Sequence, residues 1–297
     1  MRFLFVDRIL QITDGTQIRG IKHVTPDDYY RCPSACGTHD VFIPSLMGET
    51  LGQLAAWYVM REYQFARRPV AGVVARSCVH RPVAVGETML LHAVIDSLDD
   101  EAVLYHGTIH VGEELVFTLE GALGPLLPME NFIDPDEARQ QWQSINRPGE
   151  WMPLQVLAPW TPQSALTSRA ACAPMTFDHI LSDEPGVRLC AQKLVSFSAS
   201  YFPDHFPRQA VLPLTVLLEC QTNLVMAWFE RQGLAYQPLA LQKIKMNAFV
   251  HPGDVLTCTV VVKQKTDLTC VVSCRCEVDG RRVCVSEIVF NKGQHEQ

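Results

Sequence analysis

The sequence predicts an α+β chain made of two copies of one domain, each a long buried helix wrapped by a curved antiparallel sheet. Three observations predict it. Blocks of sequence recur in the same order at a nearly constant offset. Each copy holds one helix-length run that is apolar almost all the way round, as a helix enclosed by a sheet should be. The segments that follow alternate, are rich in β-branched residues and are broken by turn residues, the pattern of strands.

The repeat sets the organisation. "FVDRIL" (5–10) matches "FDHIL" (177–181), pairing Asp7 with Asp178 at an offset of 171. "IPSLMGETLGQLAAWYVM" (43–60) matches "LPLTVLLECQTNLVMAWF" (212–229), pairing Glu49 with Glu219 at 170. "RPVAVGETMLLHAVI" (81–95) matches "AFVHPGDVLTCTVVV" (248–262), pairing Gly86 with Gly253 at 167. The chain therefore divides into an N-terminal copy at 1–128, a connector at 129–165 and a C-terminal copy at 166–297.

Each copy opens with a short strand and a loop that ends in proline, Pro44 or Pro213. The apolar helix follows, bounded by Arg67-Arg68-Pro69 in the first copy and by Gly233 in the second. Proline near a helix start and glycine just past its end are boundary chemistry. Strands such as "TCTVVVKQ" (257–264) and "CVVSCRCEV" (270–278) come next, and "VDGRR" (278–282) predicts a hairpin turn through Asp279-Gly280. Alternation sends both cysteines of "SCRC" (273–276) to one face, the core. The connector, rich in Pro, Gln and Trp, is expected to hold one short helix.

Composition narrows the function classes. With 297 residues, 47% of them hydrophobic, the chain can build real cores and is too apolar for disorder. A net charge of −7 argues against nonspecific nucleic-acid binding, which needs a basic surface. Eleven cysteines, an odd number spread along the chain, suit a reducing cytosol better than a disulfide framework, so a cytoplasmic location is expected. The opening "MRFLFVDRILQITDG" is too short an apolar run for a signal peptide, being interrupted by Asp7 and Arg8. No run of about 18 apolar residues predicts a membrane span. There is no Gly-rich phosphate loop. Cys32, Cys36 and His39 lack a second ligand pair at a familiar spacing, so no metal is expected.

The stretch "SYFPDHFPRQAVLPLTVLLEC" (200–220) carries the chemistry. It places His205 between two prolines and Glu219 fourteen positions later in an oily run. It resembles the signature of the 3-hydroxyacyl-(acyl-carrier-protein) dehydratases, the FabZ/FabA-like family. His205-Phe206-Pro207, Pro213 and Glu219 occupy the places of that family's His-Phe-Pro loop, helix-starting proline and helix acid, and "MNAFVHPGD" (246–254) is similar to a later family segment. Two positions depart from the pattern: Asp204 and Leu214 stand where the family has glycine. The resemblance covers most of both copies and implies a double hotdog: two long central helices, each wrapped by an antiparallel sheet, paired as a pseudo-twofold dimer within one chain.

The resemblance also implies a reaction, loss of water from a 3-hydroxyacyl thioester held on an acyl carrier protein, with no cofactor. A neutral histidine in an apolar tunnel suits the base. A carboxyl on a buried helix, its pKa raised by desolvation, suits the acid. The backbone N–H of Leu214, at a helix start, suits the thioester carbonyl. Phe206 and Pro213 would line the tunnel.

In the family two hotdogs share each site, one giving the histidine and the other the acid. The first copy has no histidine at the matching place: counting back from Glu49 reaches Ala35, and from Pro44 reaches Cys36, while His39 sits too near the proline. It does keep Glu49 and Gln53 at i and i+4 on one helix face, and a family glutamine at that spacing orients the acid. The second copy has Asn223 there. The expected site is thus His205 with Glu49 and Gln53, and Glu219 with Cys36 marks a vestigial one. Gly48 and Gly52 suggest close approach of another group to that helix, or tight packing on the sheet.

Two rival readings stand beside the dehydratase: a hotdog acyl-thioesterase, against which the His-Phe-Pro loop speaks, and a noncatalytic subunit that binds acyl carriers. "RRP" (67–69), Lys243 and Lys245 read as solvated surface, or alternatively as docking points for an acidic carrier. Whether the pseudo-dimer assembles further into a homo-oligomer stays open.

Overall fold

A computed structural model of the chain describes residues 2–34, 40–151 and 175–292. The first half holds strands β1 (Arg8–Thr13), β2 (Gln17–His23), β3 (Arg31–Pro33) and β4 (Asp40–Phe42), then helix α1 (Ser45–Glu62). Strands β5 (Arg67–Pro69), β6 (Val73–Val79), β7 (Thr88–Leu98), β8 (Ala102–Val111) and β9 (Glu114–Pro128) follow. Helix α2 (Pro135–Ile145) lies in the connector. Beyond it come β10 (His179–Glu184), β11 (Arg188–Leu194), α3 (Leu214–Glu230), β12 (Tyr236–Met246), β13 (Val255–Lys265), β14 (Thr269–Val278) and β15 (Arg281–Lys292).

The main sheet runs β1-β2-β7-β8-β9-β6-β12-β15-β14-β13-β11-β10, with β5 along β9. Its strand order is palindromic: β1 answers to β10, β2 to β11, β7 to β13, β8 to β14, β9 to β15 and β6 to β12. The seam is the antiparallel pair β6–β12, with Cys78 opposite Ala240 and Val74 opposite Ile244. A large antiparallel sheet around few helices is a hotdog fold.

Local detail repeats as well. The register shifts between Ile9 and Gln11 in β1 and between Ile180 and Ser182 in β10. The Asp7 carboxylate accepts the His23 N–H at 2.6 Å, and the Asp178 carboxylate accepts the Leu194 N–H at 2.7 Å. Gly86 and Gly253 each donate an N–H at 2.7 Å, to the carbonyls of Val24 and Val195. The β14–β15 turn has φ of 49° at Asp279 and 75° at Gly280, as the Asp-Gly pair requires.

Both long helices are buried on almost every side, which their apolar composition demands. Helix α1 packs on β2, β5, β7, β8 and β9 and against α3, and α3 packs on β12. The two starts differ by one residue: Pro44 is already helical, with ψ −41°, whereas Pro213 is extended, with ψ 136°. Counting Pro44 as helical makes Glu49 the sixth helical residue, as Glu219 is. This explains why the proline-to-acid spacing is shorter in the first half.

Asp134 caps α2 by accepting the Asp136 N–H at 2.9 Å, and Trp142 from α2 meets Trp57 and Phe65 with ring centres 6.2 and 6.3 Å apart. The connector thus covers the far end of α1. The expected boundary at 165–166 lies outside the described residues. Cys274 and Cys276 are both fully buried. Among the described residues no helix is long and apolar enough to cross a membrane.

Candidate active site

The loop from β11 to α3 carries His205, and its neighbours hold it. The Leu212 N–H donates to the Val250 carbonyl and the Arg208 N–H to the Phe132 carbonyl, both at 2.8 Å. Arg208 also pairs with Asp134 at 2.7 Å, tying the loop to the start of α2. The His205 ring packs on Phe206, with centres 4.1 Å apart, and edge-on to Phe3 at 5.8 Å.

The histidine has a defined tautomer. Nδ1 lies 3.0 Å from the Val211 carbonyl oxygen, which can only accept, so Nδ1 carries the hydrogen and a neutral ring leaves Nε2 free. Burial pushes the imidazole pKa below its ordinary value of 6.5; the charge of Glu49 opposes that shift, and Arg68 adds to it. The carboxylate that His205 feels most is therefore on the other half's helix.

Two side chains hold Glu49. Gln53 donates to Oε1 at 3.0 Å, as the i, i+4 spacing predicts. Thr215, on the first turn of α3, donates to Oε2 at 2.8 Å. Glu49 thus touches the start of the opposite helix. Glu219 mirrors it: 8% exposed and raised in pKa by burial, it lies against Ser45 at the start of α1 and against Asn223.

A cavity of about 770 Å³ joins these groups. His205, Glu49, Gln53, Phe206, Leu214 and Glu219 all line it. Pro213, expected in the tunnel wall, does not: it is buried as the residue before α3, and its extended backbone brings Leu214 and Thr215 to the cavity instead. Helix α3 has no side-chain cap, so its first-turn N–H groups, Leu214 among them, keep their donor capacity. A Cβ on Gly48 would sit 3.7 Å from the Phe117 ring and one on Gly52 3.4 Å from the Tyr105 hydroxyl, and both glycines line the cavity beside Glu49. Cys36, Ala35 and His39 lie outside the described residues.

Three features escape the sequence reading. Thr215 is one, since nothing in its immediate neighbours marks it as a partner of an acid 166 residues away. A second concerns Asp204, where the resemblance leads one to expect glycine. Its carboxylate accepts the Phe3 N–H at 2.7 Å and pairs with Arg2 at 2.9 Å. The Phe3 carbonyl in turn accepts from Gln53 Nε2 at 3.1 Å, and the Phe5 N–H donates to Gln53 Oε1 at 2.8 Å. The chain's N-terminal segment is thus a clasp running from the histidine loop through Phe3 and Gln53 to Glu49. The third is Arg68. Read as solvated surface, it is instead turned into the cavity, with Cζ 3.9 Å from the Phe206 ring centre. Arg67 points away and bonds the Asp100 carbonyl at 2.8 Å, and exposed Lys243 pairs with Glu287 at 3.1 Å.

Chemically the cavity offers an unprotonated imidazole nitrogen, a held carboxyl, free helix-start N–H groups and room for an acyl chain. A FabA-like domain model matches residues 175–287. The 3-hydroxyacyl-(acyl-carrier-protein) dehydratase FabZ of Latilactobacillus sakei subsp. sakei (strain 23K) is 32% identical over 120 residues, covering 39% of this chain and 86% of that protein. Among solved structures, a putative oleoyl thioesterase from Lactobacillus plantarum superposes with a TM-score of 0.58 at 12% identity, covering 94% of this chain and 98% of that one. A bifunctional dehydratase-cyclase domain of ambruticin biosynthesis superposes with 0.53 at 14% identity, covering 97% and 98%. These two likenesses speak for the hotdog fold; the sequence identity to the dehydratase speaks for the lineage. The chain belongs to the FabZ family of 3-hydroxyacyl-(acyl-carrier-protein) dehydratases.

Proposed function

We propose that this chain is a double-hotdog dehydratase of 3-hydroxyacyl-(acyl-carrier-protein), working in fatty-acid or polyketide-type chain synthesis, with one composite site per chain. The observation that carries this is the meeting of His205 from the second half with Glu49 from the first across one cavity. The palindromic strand order supports reading 1–128 and 166–297 as the two hotdogs and 129–165 as their connector.

The geometry supports an elimination across this cavity. The thioester carbonyl sits at the start of α3, where the Leu214 N–H stabilises the enolate-like oxygen. His205 Nε2 takes the proton from C2, the C2 electron pair forms the C2–C3 double bond, and the C3–O bond breaks. Glu49 gives its proton to the departing hydroxyl, so water leaves. The cycle ends with imidazolium and carboxylate, and passage of one proton from His205 to Glu49 resets it. Glu219 has no part in this sequence.

Incubation with 3-hydroxyacyl thioesters on a carrier protein, followed by mass spectrometry, tests the reading. Loss of water with the thioester intact is expected. Release of free carrier thiol without loss of water would make the chain a thioesterase, and no turnover across several chain lengths would make it a binding subunit.

The clasp gives a further expectation. Asp204→Ala frees the Phe3 N–H and loosens the path to Gln53 and Glu49, and should lower kcat by about 10- to 100-fold, since small misplacements of catalytic groups cost that much. Asp204→Asn keeps an acceptor for Phe3 and should recover most of the loss. Equal damage from both variants would remove the clasp from the account.

A further inference from the structure

The elimination gives no role to Arg68, a cation that lines the cavity and whose charge reaches His205. Arg68 lines the cavity from β5, while Arg67 bonds the Asp100 carbonyl and is not part of the lining. The Arg68 guanidinium stacks 3.9 Å from the Phe206 ring centre and 5.6 Å from that of Phe132. Nε is buried without a hydrogen-bond partner, and among the described residues Arg68 makes no ion pair. The spans Arg68–Phe206, 3.9 Å, and Phe206–His205, 4.1 Å, put the cation no more than about 8 Å from the imidazole.

An uncompensated charge in such a place is expensive to keep. Glu49 attracts it, but both Glu49 oxygens already have donors. The corresponding residue of the second half, also just before a proline, is the neutral Gln237, which lines the same cavity. The cation therefore belongs to the His205 end alone. Stacking occupies the faces of a guanidinium and leaves its N–H edges open, and those edges fit a carboxylate in the plane.

We propose that Arg68 binds a carboxylate on the acyl chain a few carbons beyond the reacting centre, so that the preferred substrate is a 3-hydroxyacyl thioester with an acidic chain and not a plain hydrocarbon one. The reacting end of that substrate rests on the dehydratase reading; the carboxylate site rests on Arg68 alone.

The test compares two unreactive thioesters of equal length, adipyl-pantetheine and hexanoyl-pantetheine, by calorimetric binding to the full chain. The adipyl thioester should bind at least about tenfold tighter, as a charge-assisted pair warrants. Arg68→Met and Arg68→Gln should each bring the ratio near one, and Arg68→Lys should keep part of it. The Gln variant copies the residue of the second half, which guards against a Met variant that fails to fold. No preference in the unaltered protein, preference surviving in both neutral variants, or equal loss of both thioesters overturns the proposal. If the binding preference and its loss are seen but the 3-hydroxy forms never lose water, the dehydratase reading falls and the Arg68 site stands.

Discussion

Replacing His205 with alanine should lower kcat for dehydration by about 10²- to 10⁴-fold, the range of a positioned general base, and change substrate affinity only a few-fold. The size of the effect follows from how completely the base is prepared. Its Nδ1 hydrogen is held by the Val211 carbonyl, so Nε2 is available without a tautomer change. Burial keeps the ring neutral by pushing its pKa below 6.5, with Arg68 acting in the same direction and Glu49 against it. Because the neutral form is the active one, the acid limb of kcat/KM that His205 sets should lie below the ordinary histidine range. An acid limb centred above pH 7, or near-normal turnover by His205→Ala, would remove His205 from the mechanism.

Glu49→Gln should cost a similar factor in kcat, about 10²- to 10⁴-fold. Glutamine fills the same space and can still meet Gln53 and Thr215, so the packing of α1 on α3 survives. What it lacks is a proton for the departing hydroxyl. The loss should appear in kcat with KM little changed, since the group acts in the transition state. Thermal unfolding should stay close to that of the unaltered protein, which separates lost chemistry from lost fold.

Much of the fold was legible because the chain states it twice. Asp7 and Asp178, the paired glycines and the two apolar helices mark equivalent places in each half, and equivalent places carry equivalent hydrogen bonds. Glu49 and Gln53 were legible as a pair because helical spacing puts them on one face. The remainder depended on contacts between parts distant in sequence. Thr215 meets Glu49 only because the two helices cross, and Asp204 meets Phe3 only because the N-terminal segment returns to the histidine loop. Arg68 sits in "RRP", a composition that reads as surface; it lines the cavity because β5 pairs with β9, a contact between parts distant in sequence. Pro213 missed the cavity for a local reason, an extended conformation that hands the wall to the next residues.

Glu49 and Glu219 are the helix acids that line the cavity with His205, one from each half. Side-by-side kcat values for Glu49→Gln and Glu219→Gln, on the same 3-hydroxyacyl carrier thioester, decide which of them works with His205. A site shared across the halves predicts that Glu49→Gln loses about 10²-fold or more and Glu219→Gln stays within about threefold of the unaltered protein. Loss in Glu219→Gln with activity retained in Glu49→Gln would contradict it and return the chemistry to a single half.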